Sequence, residues 1–199
     1  MNQNHTKATL YLQKKRDGFF PFRWPTLFLI VVSLLTKQKG MLVHATGIRF
    51  CGRGFLFVGA SGSGKSTLAK LFEKRKDAVV LNDDRIVLRK RGPGFYIFGT
   101  PWHSRCKSFS PESVPLSAIF FLSHGRKNIL TPVGPKEAVA RLLREIPLIV
   151  PETRLSASSL VLELCERIPA YTLAFSPTKK VVPFLKKRRG KNGKLKSYP

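Results

Sequence analysis

The chain has 199 residues with a hydrophobic fraction of 43%, which suits one domain with a buried core and excludes a wholly disordered chain. Its 36 Lys and Arg residues against 11 Asp and Glu residues give a net charge of +25, which indicates an anionic partner (a nucleotide, an acidic peptide or protein, a nucleic acid or a membrane surface) or a generally basic proteome. Three widely spaced cysteines, Cys51, Cys106 and Cys165, argue against a disulfide framework or a zinc site and favour a reducing cytoplasm.

The N-terminal part of the chain predicts a lead-in followed by a buried helix. Residues 1–24 are basic and aromatic, with a short strand expected at 9–12. Residues 27–35 form an apolar run that is shorter than the roughly 20 residues needed to cross a bilayer. A signal-peptide core is the alternative, but no small-residue cleavage site follows the run. We therefore expect a buried helix ending near Gly40, and no membrane span.

Two strands are expected next, and they read as a hairpin. Residues 41–48 and 55–58 are apolar runs, and the turn between them contains Gly52 and Gly54. The second strand leads directly into a glycine-rich segment. A hairpin at this point differs from the regular alternation of strands and helices that produces a parallel sheet.

The glycine-rich segment matches the P-loop (Walker A) pattern G-x-x-x-x-G-K-[ST] at every required position. A strand precedes it and a helical pattern of leucines follows it, which is the context that the motif needs. In such a loop the backbone N–H groups surround phosphate oxygens, the Lys65 ammonium reaches the β- and γ-phosphates, and the Ser66 hydroxyl binds Mg²⁺. The alternative is a glycine-rich turn without a ligand. The predicted nucleotide-binding residues are Gly59, Ala60, Ser61, Gly62, Ser63, Gly64, Lys65, Ser66 and Thr67.

A pair of carboxylates follows the next buried strand. Residues 78–81 are apolar, and Asn82, Asp83, Asp84 and Arg85 come directly after them. Carboxylates in this position can hold Mg²⁺, directly or through water, or accept a proton from an attacking hydroxyl. If both aspartates belong to the strand, their side chains point to opposite faces and divide these tasks. The alternative is an acidic turn that closes a hairpin with residues 86–88.

The rest of the chain predicts further strands and helices around this centre. Residues 86–88 and 95–98 read as a hairpin, and the segment that follows contains His103, either a phosphate or substrate contact or a turn histidine without a role. A strand is expected at 116–122, helices from Pro135 and over 155–168, a strand at 171–175 and a short helix at 179–185.

The C-terminal residues 186–199 form a basic tail. The tail contains seven basic residues and no acidic residue, so it is expected to be disordered. It could hold an acidic partner or RNA, although a solvated tail is at least as good an interpretation. We find no aromatic interleaving and no RNA-binding motif beside it, so nucleic acid is not the favoured partner.

Taken together, these segments resemble the catalytic domain of the HPr kinase/phosphorylase family, and most of all the short HPr-kinase-like proteins that lack the family's N-terminal domain. The resemblance covers residues 25–185, which we take as the domain. It implies an α/β fold of the phosphoenolpyruvate-carboxykinase type: a mixed sheet with a hairpin before the P-loop, and flanking helices. The resemblance depends on residues 40–47, 52–66, 82–85, 98–102, 118–122 and 135–143.

The resemblance also implies a reaction: ATP- and Mg²⁺-dependent phosphorylation of a serine hydroxyl in a protein or peptide, such as the precursor of a modified peptide. It makes Asp83 the base toward the serine, places Asp84 near the metal with Ser66, and associates a histidine before the P-loop, here His44, with the base. Lys65 completes the expected catalytic set. Residues 104–107 are basic where we expect relatives to have a small or acidic residue, so the substrate of this chain need not be the family's usual substrate. We expect a cytoplasmic enzyme, for which oligomerisation is possible.

Two other classes of function are compatible with the sequence. One is a nucleotide-binding regulatory or scaffold protein that transfers no phosphate. The other is a nucleic-acid-associated P-loop protein, suggested by the charge of +25.

Overall fold

The computed structural model describes residues 7, 9, 25–102, 109–148 and 154–188. In these ranges the chain forms a mixed α/β fold with an eight-stranded sheet and five helices. In chain order the elements are α1 (Thr26–Lys37), β1 (Gly40–Phe50), β2 (Arg53–Val58), α2 (Lys65–Glu73), β3 (Ala78–Asn82), β4 (Arg85–Arg91), β5 (Gly94–Phe98), β6 (Ser113–His124), β7 (Ile129–Val133), α3 (Pro135–Leu143), α4 (Arg154–Arg167), β8 (Ala170–Phe175) and α5 (Val181–Lys187).

The sheet is mixed because antiparallel hairpins flank a parallel centre. Strands β1 and β2 pair antiparallel, which confirms the hairpin before the glycine-rich segment. Strand β2 then pairs parallel with β6, and β6 pairs parallel with β8. Strands β4 and β5 form the second predicted hairpin, and β5 returns to the start of β6. Strands β1 and β6 therefore belong to two layers, one ordered β3-β1-β2-β6-β8-β7 and the other β1-β4-β5-β6.

Strands β3 and β4 follow one another along a single edge of β1. The segment Gly47–Phe50 of β1 pairs with β3, and the segment Gly40–His44 pairs with β4. Residues 83 and 84 fill the interval between the two strands, and the Ala45 N–H donates to the Asp84 carbonyl at 3.2 Å. The two strands do not pair with each other, so the interpretation of the acidic segment as a hairpin turn is wrong. Each of the two strands pairs with β1 instead.

Alternation along the strands divides the core into two parts. On β2, Phe55 and Phe57 face helices α2 and α5, whereas Leu56 and Val58 face the side covered by α3 and α4. The Phe57 ring stacks on Phe120 of β6 at 4.9 Å and lies 6.1 Å from Phe72 of α2. Such aromatic contacts contribute about 1 kcal/mol each beyond area burial. They fix α2 against β2, and with it the loop that joins the two elements.

Helix α1 confirms the prediction for the apolar run. Its buried residues Phe28 and Val32 pack on Leu42 of β1, and the Phe28 ring meets Trp102 edge-on at 6.2 Å. The helix ends at Lys37, close to the expected end. Among the described residues, none of the helices has the length and apolar character that crossing a membrane requires.

The other elements also match their predicted positions, apart from β7. Strand β7 contains Pro132, which cannot donate to a strand partner, and this residue hides the strand from pattern analysis. Proline is tolerated because β7 has β8 as its one strand partner among the described residues and lies at the edge of the sheet that they form. Of the strand expected at 9–12, residue 9 is described and is not in a strand, whereas residues 10–12 lie outside the described residues, as do the candidate residue His103 and residues 189–199 of the predicted tail.

Candidate active site

The loop between β2 and α2, residues 59–64, is here called the glycine loop. Its backbone takes left-handed conformations that favour glycine, with φ of +97° at Gly64. A side-chain carbon at Gly64 would also lie only 2.8 Å from the ring of Phe175. The loop opens helix α2, whose first N–H groups have no partner within the helix. N–H groups at a helix start together with a glycine loop can bind an anion.

Two residues at the ends of neighbouring strands contact the glycine loop. Phe175 ends β8 and packs against Gly64, and His124 ends β6 and its Nε2 lies 3.0 Å from the Gly62 carbonyl oxygen. His124 and Phe175 are paired across the two parallel strands. Sequence reasoning missed both, because neither belongs to a motif. The signal for finding them is positional: they end the strands that follow β2 across the sheet.

Lys65 begins α2 and turns back into the glycine loop. Its side chain is buried, and Nζ donates to the carbonyl oxygens of Gly59 and Ala60, the latter at 3.2 Å. Burial lowers the pKa of Lys65 below its usual value, because the ammonium loses contact with water, while Glu145 and Asp84 oppose that shift. The site therefore contains a partly desolvated cation with carboxylates nearby.

Asn82 fixes the backbone that carries the two aspartates. Its side chain is fully buried, and its Oδ1 accepts hydrogen bonds from the backbone N–H groups of Asp84 at 2.7 Å and Arg85 at 2.9 Å. Its Nδ2 donates to the carbonyl oxygens of Thr100 at 2.7 Å and Trp102 at 2.8 Å. Every hydrogen-bonding position of the amide is used to hold a bend between β3 and β4. Sequence reasoning placed Asn82 beside the acid pair but gave it no task.

The two aspartates lie in this bend and not within a strand. Asp83 is only 2% exposed, whereas the Asp84 side chain is 26% exposed. The expected division of the pair by strand alternation therefore does not apply, because alternation requires extended backbone. Both residues line the same cavity.

His44 lies between two carboxylates. Its Nε2 is 3.4 Å from Asp84 Oδ1, and its Nδ1 is 3.0 Å from Glu145 Oε2. The backbone N–H of His44 also donates to the Glu145 carbonyl oxygen at 2.8 Å. Burial lowers the pKa of His44, with the positive charges of Lys65 and Arg85 acting in the same direction and the two carboxylates acting against it.

Glu145 is the main site residue that the sequence did not indicate. It follows α3, far along the chain from His44, and it stands outside every motif. The fold brings it to the start of β1, where it meets both the backbone and the ring of His44.

These features enclose one cavity of about 420 Å³. The cavity brings together the glycine loop, the acid pair and the histidine, although they come from three separate segments of the sequence. Gly59, Ala60 and Ser63 belong to the loop itself, and the first two hold Lys65 through their carbonyl oxygens. The lining residues are His44, Ser61, Gly62, Gly64, Lys65, Ser66, Thr67, Asp83 and Asp84.

Comparison with known proteins identifies the family. No curated protein matches the chain. Among solved structures, the chain is similar to the Hpr(Ser) kinase/phosphatase from Coxiella burnetii, with 12% sequence identity over 72% of this chain and 90% of that chain and a TM-score of 0.43. The family model described as "SynChlorMet cassette protein ScmC" matches residues 12–180. Because this match spans most of the present chain, the chain belongs to the ScmC family.

Proposed function

We propose that this protein is a kinase that transfers the terminal phosphoryl group of ATP to a serine hydroxyl of a protein or peptide. The observation that carries the proposal is the single cavity that joins the glycine loop and Lys65 to the acid pair. A nucleotide-binding turn alone would explain the loop. It would not explain why two aspartates and a histidine face the same space.

The residues of the cavity fit a magnesium–nucleotide. The glycine loop and the start of α2 offer N–H groups, and Lys65 brings a cation whose present partners are backbone carbonyl oxygens of the loop itself. The N–H groups of the loop and Lys65 would hold the phosphates, while the Ser66 hydroxyl and Asp84 would hold Mg²⁺. When bound there, the magnesium–nucleotide supplies the phosphoryl group and neutralises the charge on its oxygens.

Asp83 is the proposed base. Asp83 is buried and lines the cavity, where its carboxylate would accept the proton of an acceptor hydroxyl. Asn82 positions the peptide units on its C-terminal side, and His44 bridges Asp84 and Glu145. The protein thus contributes mainly orientation and fixed charge, as expected for phosphoryl transfer.

The proposed substrate follows from the family. The family name refers to a cassette, so peptides or proteins encoded in the same cassette are the first acceptors to examine. We propose that the reaction occurs in the cytoplasm.

The test is a phosphotransfer assay with matched variants. The purified protein is incubated with labelled ATP, Mg²⁺ and each peptide of the cassette, and the labelled residue is identified by mass spectrometry. We expect label on serine with the wild type and a fall of at least about 100-fold in rate for Asp83→Asn, since general base catalysis contributes about 10²–10⁴-fold. Binding of a fluorescent ATP analogue is measured in parallel.

Three outcomes would count against the proposal or against one of its assignments. If the wild type binds the nucleotide but labels no acceptor, the protein is a nucleotide-dependent scaffold or regulator. If transfer proceeds at the wild-type rate in Asp83→Asn, a kinase is present but Asp83 is not its base. A steep salt dependence of RNA or DNA binding would favour the nucleic-acid alternative.

A further inference from the structure

A second cavity, here called the arginine cavity, lies on the other side of His44. Its volume is about 200 Å³, and Arg85, Arg144, Glu145, Phe28 and Ile146 contribute to its lining. His44 lines both this cavity and the larger one. The two cavities therefore share His44, whose Nε2 lies 3.4 Å from Asp84 Oδ1.

The charge of the arginine cavity is positive on balance. Among the described residues that line the cavity, the one carboxylate is that of Glu145, and its Oε2 lies 3.0 Å from His44 Nδ1. The Arg85 Nε lies 3.8 Å from Asp84 Oδ2, which is too long for a hydrogen bond. Arg144 is exposed at the C-terminal end of α3, and within the described part of the chain it forms no ion pair. Two guanidinium groups therefore retain donors that can bind an anionic group.

The cavity also has an apolar side. Phe28 of α1 and Ile146 are both buried, with exposed fractions of 4% and 7%. A pocket with two arginines above an apolar floor suits a peptide segment that pairs a carboxylate with a neighbouring apolar group. Arginine is well suited to this task because its planar group binds both carboxylate oxygens at once.

We propose that the acceptor segment docks in the arginine cavity, with an acidic residue beside the acceptor serine contacting Arg85 and Arg144. This inference rests on the proposed function, in which phosphates occupy the glycine-loop side of the larger cavity. The acceptor hydroxyl must then approach the acid pair from the remaining side, where the two cavities share His44. The net charge of +25 would also draw an acidic segment toward the protein.

The experiment measures acceptor preference with a serine peptide library. Each position around a single serine is occupied in turn by Asp, Ala or Lys, and initial rates of phosphorylation are compared for the wild type and three variants. Arg144→Gln removes one charge from the arginine cavity. Lys136→Gln is the matched control, because Lys136 is exposed at the other end of α3 and loses the same charge. Arg144→Glu reverses the charge.

We expect the wild type to prefer Asp over Ala at one position by about tenfold, as one charge-assisted hydrogen bond provides. Arg144→Gln should reduce this preference to about twofold or threefold, while Lys136→Gln should keep it. Arg144→Glu should favour Lys at the same position. An absent acidic preference in the wild type, or a preference unchanged in both Arg144 variants, would overturn the inference.

A binding arm separates failure of docking from failure of the kinase proposal. Fluorescence anisotropy measures the binding of a labelled Asp-containing serine peptide and of its Lys counterpart to each variant. If no library peptide is phosphorylated, the kinase proposal fails. Selective binding of the acidic peptide that is lost in Arg144→Gln still supports the docking site, and equal binding of both peptides overturns it.

Discussion

The substitution Asn82→Ala should unfold the protein more easily and disable the candidate site. Asn82 is fully buried and makes four hydrogen bonds, two to backbone N–H groups and two to backbone carbonyl oxygens. Each contributes about 1 kcal/mol net, and backbone groups left buried without partners add to the loss. We expect a fall of about 4 kcal/mol in the free energy of unfolding, somewhat less where water replaces the amide.

The assay is thermal and urea unfolding followed by circular dichroism. For a chain of this size, 1 kcal/mol corresponds to about 2–4 °C, so Tm should fall by about 10 °C. Asn128→Ala is the matched control, because the Asn128 side chain accepts one hydrogen bond, from the Ser176 N–H at 3.2 Å, and should lower Tm by only about 3 °C.

The Asn82→Ala variant should affect the bend at Asp83 and Asp84 without affecting the glycine loop. Nucleotide binding should persist below Tm, because the glycine loop is held by His124 and Phe175. Phosphoryl transfer should fall at least tenfold, because a misplaced carboxylate loses much of its effect. If Asn82→Ala unfolds like Asn128→Ala and transfers phosphate at the wild-type rate, the reasoning about the bend is refuted.

Four further outcomes can be measured. Gly64→Ala places a side chain at a left-handed backbone position and against Phe175. It should lower the free energy of unfolding by about 1–3 kcal/mol in urea and weaken binding of a fluorescent nucleotide. The control Gly52→Ala should leave nucleotide binding intact, because the space around Gly52 is open. Lys65→Met should weaken nucleotide binding by about tenfold or more in the same titration, since the ammonium is replaced by an apolar chain of similar length that cannot bind phosphate. Asp84→Asn should raise the Mg²⁺ concentration needed for half-maximal transfer, whereas Asp83→Asn should lower the rate without that shift; equal Mg²⁺ dependence in both would contradict the assigned roles. Arg75 and Lys186 lower the pKa of Asp77 through hydrogen bonds. Asp77 therefore stabilises the fold at a pH above the ordinary pKa of an unfolded aspartate, and it loses that effect as the pH falls toward the lower pKa of the folded state. Asp77→Asn should be less stable than the wild type at pH 7, and the difference in free energy of unfolding between the two proteins should narrow when unfolding is measured in acid.

The parts of the site that the sequence predicted are those formed by neighbouring residues. The P-loop pattern, the hairpin before it and the acid pair after a buried strand are local signals, and the structure brings them to one cavity. The bend at Asp83 differs from the predicted alternation because Asn82 captures the following N–H groups with its side chain. In the sequence, the only sign that the Asn82 side chain binds these N–H groups is that an asparagine precedes two aspartates.

The remaining parts depend on contacts that no local pattern encodes. Glu145 meets His44 only because α3 and the segment after it return to β1, and His124 meets the glycine loop only because β6 lies beside β2. Strand β7 was missed because Pro132 is read as a strand breaker unless the strand is known to be at an edge. The order of the strands in the sheet, and not the local composition, determines the contact of Glu145, the contact of His124 and the edge position of β7.

The placement of β3 and β4 on one edge of β1 limits how the acidic bend can vary in length. Ile86 and Leu88 of β4 are fully buried, and side chains along a strand alternate between faces. Adding or deleting a single residue at 83–84 would leave β3 paired as before but would turn Ile86 and Leu88 away from the core. The hydrophobic interior behind the bend therefore fixes the number of residues in it, independently of the chemistry that the two aspartates supply.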